Sequence, residues 1–219
     1  MTVAGWRVLP EHVSLYSPAG LRLIDDFTGR APLGRVGVRL DRQVSPGVWA
    51  PTDIEGLLPS SSILCWPGLG RHGEPASAPT RRYRARVEAE HYRPGYLQSA
   101  DGIEFDAPPW DDDNPPVPVT TGPQDVYLFP ATAYGFPTHV RVLHGLVEDA
   151  GGGPVANVLV HQATAERTLS DERGAFTLPL RWAAAGLVVD AVDVRTGRTG
   201  SHLLSLPADL QSNVTITIV

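Results

Sequence analysis

Residues 145–182 read GLVEDAGGGPVANVLVHQATAERTLSDERGAFTLPLRW and decide the fold, because turn signals divide them into four short strand patterns. Residues 157–161 fit a strand of period two with Val158 and Val160 on one face, and residues 175–180 alternate again, with Phe176, Leu178 and Leu180 on one face. The glycines at 151–153 supply positive φ angles at no steric cost. Strands this short, with turn signals at intervals of about 8 to 12 residues, predict an antiparallel β-sandwich.

A resemblance to a known family covers residues 140–219. Its motif is a Gly-x-Val strand and an acidic turn with glycine, followed by Pro154-Val155-x-x-Val158-x-Val160 and Thr168-x-Ser170-Asp171-x-x-Gly174-x-Phe176-x-Leu178. In this pattern the chain resembles the carboxypeptidase regulatory-like domain, a small transthyretin-like, immunoglobulin-like sandwich. Members of that family are accessory modules without catalytic residues, so the resemblance implies a non-catalytic unit.

The first half of the chain repeats part of this pattern. Ile24-Asp25-Asp26 matches Val147-Glu148-Asp149, and Pro32-x-x-x-Val36-x-Val38 matches Pro154-x-x-x-Val158-x-Val160. A two-copy repeat with an offset of about 120 residues indicates a second unit of the same kind. The predicted fold class is therefore all-β, with two tandem immunoglobulin-like or transthyretin-like antiparallel β-sandwiches. Residues 1–17 form an N-terminal docking segment, residues 18–135 a sandwich with long Pro-rich loops, and residues 140–219 the second sandwich.

Within the first half, residues 82–92 give the strongest strand pattern. Alternation places Tyr83, Ala85, Val87 and Ala89 inward and charged side chains outward. We predict a turn over residues 93–96, and an extended loop over residues 106–123, which contain six prolines. Residues 124–129 and 212–219 read as closing strands, and Tyr134 and Phe136 predict a packed connection between the halves.

Composition excludes several kinds of chemistry. The chain has 219 residues, a formal charge of −6 and no lysine, because all 18 basic residues are arginine. A P-loop lysine, a Schiff-base lysine and a Lys–Asn isopeptide crosslink are therefore excluded. The acidic balance without a basic tract disfavours nucleic acid and anionic membranes as partners. One cysteine, Cys65, no apolar run of membrane-spanning length and no signal-like N-terminus predict a cytoplasmic protein, possibly part of an assembled particle.

Three groups of residues contain side chains that could form a metal or catalytic site, but the spacing of each group does not match a known site. Calcium could bind the oxygen-rich loop, but the loop lacks the glycine and closing glutamate of an EF-hand. The histidines lack a metal-ligand spacing, and no nucleophile elbow holds the serines or the cysteine. The residues concerned are Asp106 with residues 111–114; Glu90, His91, His139 and His144; and residues 60–62 with Cys65 and His72. We therefore predict no catalytic, cofactor or metal site.

The predicted function is that of a non-catalytic structural or adaptor subunit in a larger assembly. The segments IDDFTGRAP, YRARVEAEHYRPGY and LFPATAYGFPTHVRVLHGLVED resemble small accessory proteins of phage-tail-like contractile injection systems. Candidate partner-binding residues are Arg81, Arg82, Arg84, Arg86, Trp6 and Trp110. The alternative is a carbohydrate- or peptide-binding accessory module that uses Trp49, Trp66, Trp110 and Tyr96 as stacking surfaces. The partners in the first interpretation are other protein subunits.

Overall fold

The computed structural model describes residues 17–58, 63–70, 79–109, 122–163, 166–181 and 186–219. The strands are β1 Gly20–Asp25, β2 Val36–Ser45, β3 Val48–Pro51, β4 Ile63–Cys65, β5 Arg81–Ala89, β6 Tyr92–Pro94, β7 Ile103–Ala107, β8 Gln124–Pro130, β9 Arg141–Asp149, β10 Leu159–Gln162, β11 Glu166–Leu169, β12 Ala175–Leu180, β13 Val188–Val192, β14 Thr199–Leu203 and β15 Val214–Ile218. Two 3-10 turns, Gly95–Gln98 and Ala208–Leu210, are the helical elements in these ranges. None of the described helical elements could span a bilayer.

Two sheets enclose the core of the first half. Their strand orders are β4-β1-β8-β6 and β3-β2-β5-β7. Leu21, Leu23 and Leu128 come from the first sheet, and Leu40 and Tyr83 come from the second, and all are nearly inaccessible to solvent. The alternation in β5 buries Tyr83, Ala85 and Val87 as the sequence predicts.

Two further sheets enclose a separate core in the second half. Their strand orders are β12-β9-β15 and β11-β10-β13-β14. Leu143, Phe176 and Ile216 from one sheet belong to the same buried cluster as Val160 and Val189 from the other. The chain is thus all-β in its described part, as predicted.

Some element boundaries differ from the sequence interpretation. β12 covers residues 175–180 as expected, whereas residues 93–94, predicted as a turn, complete β6. They do so because β6 pairs with the end of β8, where Tyr92 lies opposite Pro130. Residues 106–107, predicted as loop, extend β7, because β7 pairs with β5 as far as Ala107. The predicted docking segment lies outside the described residues except for Ser17, and most of the Pro-rich loop, residues 110–121, also lies outside them.

The prediction of purely antiparallel sheets is wrong for one sheet in each half. β1 pairs in parallel with β8, and β9 pairs in parallel with β15, each over five residue pairs. The first and last strands of each half therefore run side by side in the same direction. Hairpin spacing could not reveal this, because each pairing joins strands that are distant in sequence.

In each half an aspartate ends the first strand and binds the following turn, but the position in the first half differs by one residue from the alignment of the sequence repeat. Asp149 ends β9, and its Oδ1 accepts hydrogen bonds from the N–H groups of Gly151 and Gly153. In the first half Asp25, not Asp26, ends β1 and accepts a hydrogen bond from the N–H of Phe27. Asp25 is therefore the structural equivalent of Asp149, and the side chain of Asp26 is available for other contacts.

Candidate functional site

The predicted partner-binding arginines lie on β5, where the structure describes them in ion pairs. Arg82 forms two hydrogen bonds to Glu104 of β7. Arg84 and Arg86 both bind the carboxylate of Asp41 on β2. Arg81, at the start of the strand, also has an interaction. The structure does not test whether these arginines bind a partner, and that part of the interpretation stays a prediction.

Asp41 explains why two of these arginines are held in place. Its side chain is only 2% exposed, so its charge needs a partner. Burial by itself raises the pKa of Asp41, but the hydrogen bonds and charges of Arg84 and Arg86 outweigh it and hold that pKa below its usual value. Arg84 also lies over the ring of Trp49, 4.6 Å from its centroid. Arg84 and Arg86 therefore serve the fold of this sheet.

Two of the aromatic residues proposed for sugar stacking, Trp66 and Tyr96, make contacts within the fold. Trp66 is buried and stacks on Phe105 at 5.2 Å, so its ring offers no stacking surface. The hydroxyl of Tyr96 accepts a hydrogen bond from the N–H of Val87, and that side chain is half-buried. Trp6 and Trp110 lie outside the described residues.

The histidines lie apart in the fold. His91 Nδ1 lies 3.1 Å from the carbonyl oxygen of Ala133, and His144 lies on β9 beside Thr177. His139 precedes β9, which begins at Arg141, whereas His144 lies within that strand. In the ranges that the structure describes, no cluster of three metal-ligating side chains occurs.

Arginines that the sequence did not single out connect the two halves. Arg167 on β11 forms three hydrogen bonds to the carboxylate of Asp26, at 2.6 to 3.1 Å. Its guanidinium also lies over the rings of Tyr127 and Phe129, 5.2 and 4.9 Å from their centroids. A planar guanidinium can satisfy both contacts at once, which a lysine ammonium cannot.

Three more arginines extend this contact, which we name the arginine junction. Arg93 of the first half binds Glu172 and Asn157 of the second. Arg195 donates to the carbonyl oxygens of Leu97 and Ala100 and to Asp101. Arg181 donates to the carbonyl oxygen of Phe27 and stacks on its ring at 4.5 Å. Arg93, Arg167, Arg181 and Arg195 hold the two halves against each other.

A buried carboxylate lies at the base of this junction. Asp25 is 0% exposed, and its Oδ2 accepts hydrogen bonds from the hydroxyls of Thr28, Tyr134 and Tyr92, at 2.9, 2.9 and 3.3 Å. Burial, together with the neighbouring Asp25 carboxylate, raises the pKa of both tyrosine hydroxyls. Tyr134 and Phe136 pack with Phe27, so the connection between the halves is packed.

The turn that holds Asp25 occurs twice. Residues 25–30 (DDFTGR) and 193–198 (DVRTGR) share the pattern Asp-x-x-Thr-Gly-Arg. In both, the threonine hydroxyl donates to the aspartate Oδ2, and the glycine has positive φ. This repeated motif was available in the sequence and marks the two turns, but it does not encode which distant groups bind their carboxylates.

A cavity of about 590 Å³ opens beside the junction. Its described wall comes from the first turn, from the connection between the halves and from the end of β12. These lining residues are Phe27, Thr28, Arg30, Pro137, His139, Val140 and Arg181. The wall combines apolar groups with arginine and histidine, and none of its described members is acidic.

Comparisons with known proteins identify no family. No family model matches the chain, and no curated protein matches it. Among solved structures, the shaft pilin spaA from Lactobacillus rhamnosus GG is similar at 11% identity and a TM-score of 0.29, over 92% of this chain and 97% of that one. A streptococcal ancillary pilin is similar at 11% identity and a TM-score of 0.26, over 92% of this chain and 67% of that one. Similarities with TM-scores this low carry no argument about function.

Proposed function

We propose that this chain is a non-catalytic structural or adaptor subunit of a multi-protein assembly. The observation that carries the proposal is the arginine junction, in which four arginines connect two separately cored all-β units. Arg167 and Arg93 form ion pairs with Asp26 and Glu172 across the junction. Binding a substrate does not require these ion pairs. We infer that these contacts restrict relative motion of the two halves, which suits a component that positions other proteins.

Finer parts of the proposal rest on the sequence. The halves are two tandem immunoglobulin-like or transthyretin-like sandwiches, the second of the carboxypeptidase regulatory-like kind. The assembly is a phage-tail-like contractile injection particle, as the resemblance of three segments implies. The single cysteine favours synthesis in a reducing compartment such as the cytoplasm.

A stacking-type carbohydrate module is the weaker candidate. Such a module needs exposed ring faces, and Trp66 is buried while Arg84 covers Trp49. The direct test between the two functions is purification of the tagged chain from its native host, with quantitative mass spectrometry of what accompanies it. We expect a fixed set of protein subunits in constant ratio. A chain recovered alone that binds a glycan in saturable calorimetric titration would contradict the proposal.

The surface of β5 allows a sharper version of this experiment. Reversal of Arg84 or Arg86 would remove one of the two partners of the buried Asp41 and place a second carboxylate beside it, so a failure to assemble would report misfolding. Arg82 is suitable, because its side chain is 50% exposed and pairs with a carboxylate that is 40% exposed. Arg22 is the matched control, with 47% exposure and Asp125 as its partner.

We expect Arg82→Glu to reduce recovery of partner subunits and Arg22→Glu to leave recovery unchanged. Both variants should unfold at nearly the wild-type temperature, because exposed ion pairs contribute about 0 to 1 kcal/mol. Equal recovery with the two variants would mean that β5 does not face a partner.

A further inference from the structure

The two Asp-x-x-Thr-Gly-Arg turns use their final arginine differently. In the second turn, Arg198 closes the motif with an ion pair of 3.0 Å to the Oδ2 of Asp193. In the first turn, the hydroxyls of Tyr92 and Tyr134 take the corresponding position on Asp25. Arg30, the equivalent of Arg198, is exposed and makes no ion pair with any residue of the described ranges. The two tyrosine hydroxyls therefore occupy the position on Asp25 that the arginine occupies on Asp193, and Arg30 is left without an ion pair in the described ranges.

This arginine belongs to the wall of the junction cavity. Arg181 and His139 belong to the same wall. The charge of Arg181 is compensated by Glu166, whose Oε1 accepts a 2.7 Å hydrogen bond from it. Arg30 therefore places an unpaired positive charge at the cavity surface, and the described wall holds no carboxylate. The nearby Asp25 carboxylate is 0% exposed and bound by three hydroxyls, so a ligand in the cavity does not meet it. Such a cavity favours an anionic ligand.

The apolar part of the wall narrows the ligand class. Pro137, Val140 and Phe27 offer aliphatic and aromatic surface beside the cation. A face of the Phe27 ring is covered by Arg181 at 4.5 Å, and Tyr134 and Phe136 contact the ring edge to face. That face is therefore closed to a sugar ring, whereas an aliphatic side chain next to a carboxylate fits both the apolar and the charged part of the wall. The volume of about 590 Å³ suits a few residues of peptide.

We propose that the junction cavity binds an acidic peptide segment of a partner protein, with its carboxylate on Arg30 and a neighbouring aliphatic side chain against Pro137 and Val140. This inference rests on the proposed function and assigns it a docking site. The occupant lies between the two halves, so binding also links the partner to both of them.

The test is isothermal titration calorimetry of the full chain at low ionic strength with two synthetic peptides. The probe is Ac-Gly-Leu-Glu-Leu-NH₂, and the matched peptide carries glutamine in place of glutamate. We expect saturable binding of the glutamate peptide, and binding weaker by about fivefold or more for the glutamine peptide, because the charged contact is lost.

Charge reversal at Arg30 should abolish binding of the glutamate peptide. Arg35→Glu is the control, since Arg35 is also exposed, has no ion pair in the described ranges and lies outside the cavity wall. It makes the same change in net charge and should retain wild-type binding. No saturable binding of either peptide, equal binding of both, or equal loss with both variants would overturn the inference. Binding of a glucuronate oligosaccharide in place of the peptide would also overturn it.

Purification from the native host separates this inference from the proposed function. If subunits accompany the wild-type chain and Arg30→Glu equally, the cavity is not their docking site, while the structural role stands. If nothing accompanies the wild-type chain, the structural role fails, and the calorimetric result alone decides whether the cavity binds acidic peptides.

Discussion

The turns at Asp25 and Asp193 have the same backbone hydrogen bonds and different surroundings. In each, the aspartate N–H donates to the arginine carbonyl oxygen five residues later, and the glycine N–H donates back to the aspartate carbonyl oxygen. Asp193 keeps its arginine, at a site where that arginine remains partly exposed. Asp25 exchanges its arginine for two tyrosine hydroxyls at the arginine junction. The local sequence determines the conformation of the turn, and residues distant in sequence determine which groups bind its carboxylate.

The largest expected difference between the turns comes from removal of the two aspartates. Asp25→Ala leaves buried hydroxyls of Tyr92 and Tyr134 without their acceptor, and we expect a loss of about 3 kcal/mol in the free energy of unfolding. Asp193→Ala loses a turn and an ion pair near the surface, and we expect a loss of about 1 to 2 kcal/mol. Denaturant unfolding of both variants measures the difference.

Tyr134→Phe is the control for this comparison. It removes one hydroxyl and keeps the ring packed on Phe27, so we expect a loss of about 1 kcal/mol. Equal losses for the two alanine variants would show that the tyrosine contacts add nothing to the turn itself.

Arg167 tests whether the junction makes the halves one body. It combines three hydrogen bonds to Asp26 with contacts to two aromatic rings, so we expect Arg167→Ala to cost about 2 kcal/mol. We expect one calorimetric unfolding transition for the wild type and two for the variant. Arg173→Ala, at an exposed arginine of the turn between β11 and β12, should change stability by less than about 0.5 kcal/mol. A single unchanged transition in Arg167→Ala would mean that other contacts suffice.

These contrasts show which parts of the molecule the sequence could predict. The alternation of Phe176, Leu178 and Leu180 is a local property, and β12 has the predicted bounds. The pairing of Arg167 with Asp26 joins residues 141 positions apart, so no local pattern encodes it. The same holds for the parallel contact of β1 with β8. The sequence pointed to the arginines of β5, where Arg84 and Arg86 bind Asp41 of their own sheet. Partner binding by this strand stays a prediction.

The glycines of the two turns should give equal effects. Gly29 has φ +68° and Gly197 has φ +79°, and a Cβ at either position would meet nothing within 4 Å. Only backbone strain therefore opposes a side chain, and we expect Gly29→Ala and Gly197→Ala each to cost about 1 kcal/mol. Gly135→Ala, also in open space but without positive φ, should be neutral or slightly stabilising. A much larger loss at Gly29 than at Gly197 would mean that contacts at the arginine junction prevent the first turn from relaxing around the added methyl group.

The smallest expected difference is in how the stability of the second turn depends on pH. Burial raises the pKa of Asp193, but the hydrogen bonds of Thr196 and Arg198 outweigh it and hold that pKa below its ordinary value. A lowered folded-state pKa contributes stability above the unfolded pKa, and the contribution is lost as pH falls through the folded value. The stability difference between the wild type and Asp193→Asn should therefore be constant above about pH 5 and shrink below it. Urea unfolding of both proteins between neutral pH and pH 3 measures that difference, and a difference that grows on acidification would show that the Arg198 pair does not stabilise the carboxylate form.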